Sequence, residues 1–557
     1  MTDRIDSVTA RVLWDRLISI ADEAAVTLVR TAFSPVVQES NDYTCIILDA
    51  EGQSIADNVQ SIPAFIGTMP RTLQHMLGEY PRDEWAPGDV LLTNDPWMGT
   101  GHLPDFSMAA PVFRNGQLVA FVGAIAHAID VGGLSWASHA KSVFEEGIRI
   151  PISKFMEGGV VNAQLAKVIR ANVRVPDLMI GDLMAQVAAL DVLRRRLLEL
   201  MDDVGLSDLT EVSNTILSYG ELSMRRAISE IPDDRYHHAL EIDGHEETLR
   251  IECSVTVAGE NLTVDYMGTS AQVPYGINSV MNYTYAYTCY SLKCALDPST
   301  PKTDGSYRPI RVVAPEGCIL NPRFPAPVSG RQLTGMYSAA AVYGALVKAI
   351  PQRVIADSSG PPARLIFTGA DASGQAFSLT LFAWGGMGAR ATLDGMPCMA
   401  FPGNVACASA ETTETVAPIL LRRKRLVQDS GGIGLRQGGA GQEFEIEYRA
   451  PSAGALTVMS SRHRIPAAGL LGGHPGSLTR FLINGIPRPE NARYTVQPGD
   501  IVTLIYPGGG GYGPPELRDP AYVARDVADG LISAEKATRG YGPAWKLQSS
   551  ELALHSS

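Results

Sequence analysis

The sequence predicts an α+β fold of several domains: a helix-containing N-terminal half and a β-rich C-terminal half. Three observations lead there. The chain is 557 residues long with 45% hydrophobic residues, enough for two to four separate cores. Its 54 glycines and 36 prolines demand many turns. The apolar period also switches between about 3.6 and 2 residues along the chain.

Residues 6–33 read as an amphipathic helix, with Val8, Val12, Leu13, Leu17 and Ile20 at helical spacing and the run continuing through Ala25, Leu28 and Val29. Tyr43 to Leu48 reads as a short strand closed by a turn over residues 49–52, and Asp89 to Thr93 as another strand. Residues 160–230 read as helical, with an apolar stripe from Leu183 to Leu200, Arg194–Arg196 on its other side, and a second helix over 207–230. Short strands and turns are expected over 240–325, helix over 331–351, mostly strand over 362–506, and a short helical pair over 516–541. The expected segments are 1–155, 156–235, 236–360 and 361–557.

The bulk numbers exclude several functions. A formal net charge of −13 argues against a nucleic-acid binder. The one basic run, Arg422-Arg423-Lys424-Arg425, reads as a solvated face or a subunit contact. Seven scattered cysteines without a CxxC pair argue against a disulfide framework or zinc ribbon and for a reducing, cytoplasmic setting. No signal peptide and no membrane span are expected. Gly508–Gly511 reads as a tight turn, because no Gly-Lys-Thr/Ser follows it and no Walker A motif occurs. No Ser-His-Asp or Cys-His arrangement stands out, and His463 reads as a surface or packing residue.

The chemistry concentrates between residues 89 and 130. Two apolar runs, Ser107 to Phe113 and Gln117 to Ala126, flank Arg114-Asn115-Gly116, and Asn-Gly between such runs signals a hairpin. A two-residue Asn115-Gly116 loop pairs Arg114 with Gln117 and, counting outward, Pro104 with His127. His102 then lies diagonal to His127 on the same face, at a Cα separation of roughly 7–8 Å. Two imidazoles so placed can converge on one ion. Asp105 falls on the opposite face unless the chain bends at Pro104. Two histidines and an aspartate suit Zn, Mn or Fe(II) with coordination positions left open. On spacing alone, two loop histidines hydrogen-bonded to backbone remain the alternative. Asp95, Asp130 and Glu146 are further candidate site carboxylates. Asp130, three residues from His127, reads equally as an outer-shell acceptor or a turn cap. Asp42 is a weaker candidate.

Asn94-Asp-Pro96, Gly101-His-Leu-Pro-Asp105, Pro111-Val-Phe113, His127 with Asp130-Val-Gly-Gly133, Glu146-Gly-Ile-Arg-Ile-Pro151, Asn172-Val-Arg174 and Gly181-Asp-Leu-Met-Ala-Gln186 occur in this order. Asp429-Ser-Gly-Gly432, Gly438-Gly439, Pro507-Gly-Gly-Gly-Gly-Tyr-Gly513 and Val527-Ala-Asp-Gly530 follow. Together they resemble the hydantoinase B/oxoprolinase family. That family includes subunits of ATP-dependent N-methylhydantoinase and caprolactamase, the corresponding half of 5-oxoprolinase, and the large subunits of acetone and acetophenone carboxylases. The resemblance implies a metal held by His102, Asp105 and His127. It implies a hydantoinase A-type nucleotide-binding partner, related in fold to sugar and acetate kinases, that carries ATP and Mg in an (αβ)2 assembly. It also implies a small-molecule substrate phosphorylated by the partner: a hydantoin, lactam or oxoproline-like ring to be hydrolysed. A ketone to be carboxylated is the alternative, and a non-catalytic scaffold role is the third reading. The length of 557 residues favours the hydrolase, because the corresponding acetone carboxylase chain is appreciably longer. Many family members read Pro-Val-His-Leu-Gly where this chain has Pro63-Ala-Phe-Ile-Gly67. Phe65 can neither ligate nor shuttle protons, which puts in doubt any transfer of a particular substrate from the histidine-bearing members.

Overall fold

The computed structural model describes residues 7–134 and 136–547. It is a mixed α+β fold that separates into two compact units, Met1–Arg235 with Val255–Gly335, and Tyr236–Ser254 with Met336–Ser557.

The first unit is built on a seven-stranded sheet. Its strands are β1 (Tyr43–Asp49), β2 (Ser54–Asp57), β3 (Val90–Thr93), β4 (Asp105–Arg114), β5 (Gln117–His127), β6 (Ser153–Glu157) and β7 (Val160–Val161). The order is β2-β1-β5-β4-β3-β6-β7, antiparallel throughout. All of β1 and the first eight residues of β4 are buried, so both faces of the central strands are covered. The helix Ser7–Thr31 lies against β1 and β2, and Pro176–Asp203 against β4 and β5. Residue 6 lies outside the described residues. The expected stripe needs correction at its start: Val8 and Val12 are exposed, whereas Ala10, Leu13, Trp14, Leu17, Ala21, Ala24 and Leu28 are buried. Trp14 fixes the helix by donating its indole N–H to the Ile55 carbonyl at 2.9 Å. The helix Thr68–Glu79 covers the face bearing Gly123, where a Cβ would come within 2.7 Å of Met69.

Pairing continues away from that sheet, where Asn261–Asp265 runs parallel to Ile310–Val313. The expectation of strands and turns alone over 240–325 is corrected by a 16-residue helix, Met281–Leu296. Its sequence is rich in tyrosine and threonine and mimics a strand. It is also buried nearly all round, so no polar face marks its period.

In the second unit two sheets enclose one core. Ala376–Ala383, Ala363–Ala370, Gly454–Met459 and Arg493–Val496 are neighbours in that order in one sheet. Ile419–Val427, Gly441–Tyr448, Ile501–Tyr506, Arg480–Ile483 and Ile486–Pro487 form the other. Phe367, Leu456, Phe444 and Leu504 from both sheets meet between them. The basic run lies on Ile419–Val427 opposite an acidic strand. Arg423 pairs with Glu443 (3.0 Å) and Glu445 (3.3 Å), and Arg425 with Glu443 (2.8 Å). The terminal pair is Pro520–Ala528 and Ala534–Tyr541.

Gly508–Gly511 is not the expected tight turn. None of the four has a positive φ. Gly509, Gly510 and Gly511 donate their N–H groups to the carbonyls of Gly439 (3.0 Å), Asp357 (2.8 Å) and His474 (2.9 Å). A Cβ on any of the four would run into the backbone of Ser430, Met387, Ala468 or Ile433. The run is the centre of a bundle of backbones too close for any side chain, which is why glycine occupies it.

Candidate metal centre

The hairpin forms with Asn115 (φ 50°) and Gly116 (φ 80°) as its loop and Arg114 opposite Gln117. The register then slips. Phe113 pairs with Leu118, but Val112 pairs with Ala120, so Val119 is an extra residue bulged from β5. Beyond the bulge Asp105, not Pro104, stands opposite His127. The expected pairing is therefore off by one. Asp105 reaches the face of His127 through this bulge rather than through a bend at Pro104.

His102 lies in the loop between β3 and β4, which Asn94 and Asp95 fasten. Asn94 donates to the carbonyls of Leu103 (2.8 Å) and Ile148 (2.9 Å) and accepts from Ile150 N–H (2.7 Å). Asp95 accepts from Trp97 N–H at 2.9 Å and pairs with Arg149 at 3.0 Å. Gly101, at φ 104°, lets the loop pass between Val280 and Arg331, where a Cβ would lie 2.7 and 2.8 Å from their side chains.

One ligand atom each from His102, Asp105 and His127 lie within 4.8 Å of one another, and all three residues are buried. His102 Nε2 is 3.0 Å from Asp105 Oδ1, yet among the described residues neither atom has a hydrogen-bonding partner. Two buried polar atoms aimed together without a hydrogen bond fit a bound cation. The imidazole rings are 5.2 Å apart, and Trp136 packs on His127 at 4.4 Å and beside His102 at 5.6 Å. His102 Nδ1 lies 3.2 Å from the Ser329 carbonyl. A proton on Nδ1 there leaves Nε2 as the ligating nitrogen.

Two residues the sequence did not point to complete the surroundings of Asp105. Its Oδ2 accepts from Arg331 Nη2 at 2.7 Å and from the Thr100 hydroxyl. The Arg331 guanidinium lies 4.2 Å from the Tyr283 ring centre. Arg331 is the one charged residue between Arg323 and Lys348, the only trace it leaves in the sequence. Burial lowers His102 to about 4, with Arg331 adding to the effect, so its imidazole is neutral at pH 7 and able to ligate. Burial alone would raise Asp105, but His102 and Arg331 hold it well below the usual carboxylate range.

The other candidate carboxylates have partners of their own. Asp130 accepts from Gly132 N–H at 3.0 Å and pairs with Arg174 at 2.6 Å, as a turn cap would. Asp95 fastens the His102 loop as described. Glu146 is fully buried and accepts from the N–H groups of Val328 (2.6 Å) and Ser329 (2.8 Å), so it meets the centre through the residue that holds His102. Burial raises its carboxyl to about 8. Asp42 accepts His127 N–H at its carbonyl (3.0 Å) and continues the register of Tyr43 with Ala126, which puts it on the same face. Phe65 is buried in a single 3-10 turn, Pro63–Phe65. In the second unit His463 lies 3.2 Å from both Ser460 Oγ and Glu490 Oε1, and Ser460 is buried. Among the described residues no helix is long and apolar enough to cross a membrane, and no disulfide forms.

Comparison with known proteins follows the same lines. The hydantoinase B/oxoprolinase family profile matches residues 6–515. The proposed B component of the D-/L-hydantoinase of Pseudomonas sp. strain NS671 is 30% identical over 97% of this chain and 95% of its own length. The beta chain of the caprolactamase of Pseudomonas jessenii is 31% identical over 97% of this chain and 96% of its own. The crystal structure of the ATP-dependent caprolactamase from that organism superposes with a TM-score of 0.89, over 97% of this chain and 96% of that one. A nucleotide-free acetone carboxylase shares the fold at the same TM-score with 19% identity, over 99% of this chain and 84% of that one. With the motifs, the fold and the family profile in agreement over nearly its whole length, this chain belongs to the hydantoinase B/oxoprolinase family.

Proposed function

We propose that this chain is the metal-binding subunit of an ATP-dependent hydrolase of cyclic amides. It would act on a substrate that a nucleotide-binding partner has phosphorylated, in an (αβ)2 assembly in the cytoplasm. One observation carries the reading: the buried His102–Asp105–His127 cluster, whose facing nitrogen and oxygen have no hydrogen bond. Two relatives named as components of larger enzymes, one a hydantoinase and one a caprolactamase, support the choice of cyclic amide and the need for a partner.

His102 and His127 would hold the ion with neutral nitrogens, and Asp105 would supply the balancing charge. A bound Zn, Mn or Fe(II) ion supplies a Lewis acid for a developing oxyanion, or a water of lowered pKa. Trp136 shields the imidazoles from bulk water. Glu146 sets Ser329, and Ser329 sets the His102 tautomer. Asp95 and Asp130 keep the flanking loops in place. ATP enters because an unactivated lactam carbonyl is a poor electrophile. The absence of a Walker A motif in the sequence is in keeping with an ATP and Mg site on the partner.

The test is metal content, by mass spectrometry, of the wild type and of a His102→Ala/His127→Ala variant, each purified with its partner. A panel of hydantoin, 5-oxoproline and lactam substrates would then be assayed with ATP. About one equivalent of transition metal, lost in the variant together with ATP-dependent ring opening, is expected. A folded wild type that takes up no metal, with unchanged activity in the variant, would leave a scaffold role. Incorporation of labelled bicarbonate into a ketone would instead make it a carboxylase.

A further inference from the structure

Asp105 is held by one oxygen only. Arg331 Nη2 and the Thr100 hydroxyl both donate to Oδ2, while Oδ1 faces His102 Nε2 at 3.0 Å without a hydrogen bond among the described residues. Thr100, Asp105 and Arg331 are all buried. The arginine is itself fixed in place. Its guanidinium packs on Tyr283, and its stem passes Gly101 at a distance that leaves no room for a Cβ. Burying a guanidinium costs several kcal/mol unless it is paired, and Asp105 is the carboxylate it meets.

We propose that Arg331 and Thr100 are positioning residues that keep Asp105 Oδ2 out of the metal's coordination sphere, so that Asp105 ligates through Oδ1 alone. Carboxylates bind cations through one oxygen or two. A one-oxygen ligand leaves free the position that the second oxygen would take, and catalytic sites keep such a position for water or substrate. A counter-ion role for Arg331 alone would not need a second donor on the same oxygen. Thr100 carries no charge, so its bond to Oδ2 adds no counter-charge, and it falls on the same oxygen that Arg331 holds. The inference rests on the metal reading given above.

The experiment uses cobalt(II) added to the chelator-treated full chain, with bound cobalt and visible absorption measured together. Cobalt in a four- or five-coordinate site absorbs strongly in the visible, and the bands weaken and shift when a ligand is added. Thr100→Val and Arg331→Met are expected to bind cobalt with weakened, shifted bands as Oδ2 enters the sphere. Arg331→Lys, which restores a donor, is expected to return the wild-type spectrum. Affinity is the wrong readout, because removing the arginine also relieves its repulsion of the ion. If Thr100→Val and Arg331→Met both superpose on the wild type, the proposal is overturned. Should Arg331→Met not fold, Thr100→Val decides alone, since it changes neither charge nor volume. A wild type that binds no cobalt is a different result and removes the metal reading itself.

Discussion

Asp105 and His127 stand directly opposite each other across the hairpin because Val119 bulges from β5. Without that extra residue the carboxylate would point to the other face of the sheet. Asp105→Asn keeps the shape and removes the charge. It is predicted to weaken transition-metal affinity by more than the roughly 10–100-fold typical of outer-shell partners. A competitive chelator titration measures this, and wild-type affinity in the variant would exclude Asp105 as a ligand.

Asn94 bonds across the His102 loop to Leu103 and ties it to the segment holding Ile148 and Ile150, three hydrogen bonds in all at 2.7–2.9 Å. Asn94→Ala leaves the buried Leu103 carbonyl and the half-buried Ile148 carbonyl without that donor. A stability loss of about 1–3 kcal/mol is predicted, with metal affinity about 10-fold weaker as His102 shifts. Denaturant unfolding and the same chelator titration read the two effects. A loss of stability with unchanged affinity would show that His102 is held by Ser329 alone.

Glu146 gives a pH dependence whose sign is fixed. Its carboxyl moves from an ordinary 4.5 to about 8 on folding, because burial outweighs the two backbone N–H donors. Between these values the folded chain keeps a proton that the unfolded chain has lost. The stabilisation is therefore full below about pH 4.5 and lost as pH rises through 8. Glu146→Gln keeps an acceptor for Val328 and Ser329 and does not titrate. In metal-free protein its thermal midpoint, relative to wild type, is predicted to rise from pH 5 to pH 8. A constant difference across that range would mean that Glu146 is ionised in the fold.

The glycine bundle makes a prediction that needs no metal. A Cβ on Gly510 would strike the Ala468 carbonyl, and backbone cannot step aside as a side chain can. Gly510→Ala is predicted to cost about 3 kcal/mol or more by overpacking. Gly78→Ala, where φ is likewise not positive and a Cβ meets nothing within 4 Å, serves as the control for replacing a glycine without a clash. Equal stability of Gly510→Ala and wild type in denaturant unfolding would mean that the bundle can open.

The sequence by itself determined what depends on near neighbours. Asn115-Gly116 fixed the hairpin loop, because few residue pairs accept two successive positive φ values. His102 and His127 announced themselves by flanking that hairpin, and alternation or helical spacing marked most strands and long helices. The tertiary structure decided the rest. A one-residue bulge depends on how β5 fits both β4 and β1, so Val119 looks like any other strand valine. The helix Met281–Leu296 is buried nearly all round and has no polar stripe to read. Gly508–Gly511 resembles a turn until the backbones of Ser430, Met387, Ala468 and Ile433 close around it. Arg331 lies 226 positions from Asp105 in the chain. Period and turn chemistry are local properties of the backbone, whereas the partner of a buried charge is whatever folding brings within reach of it.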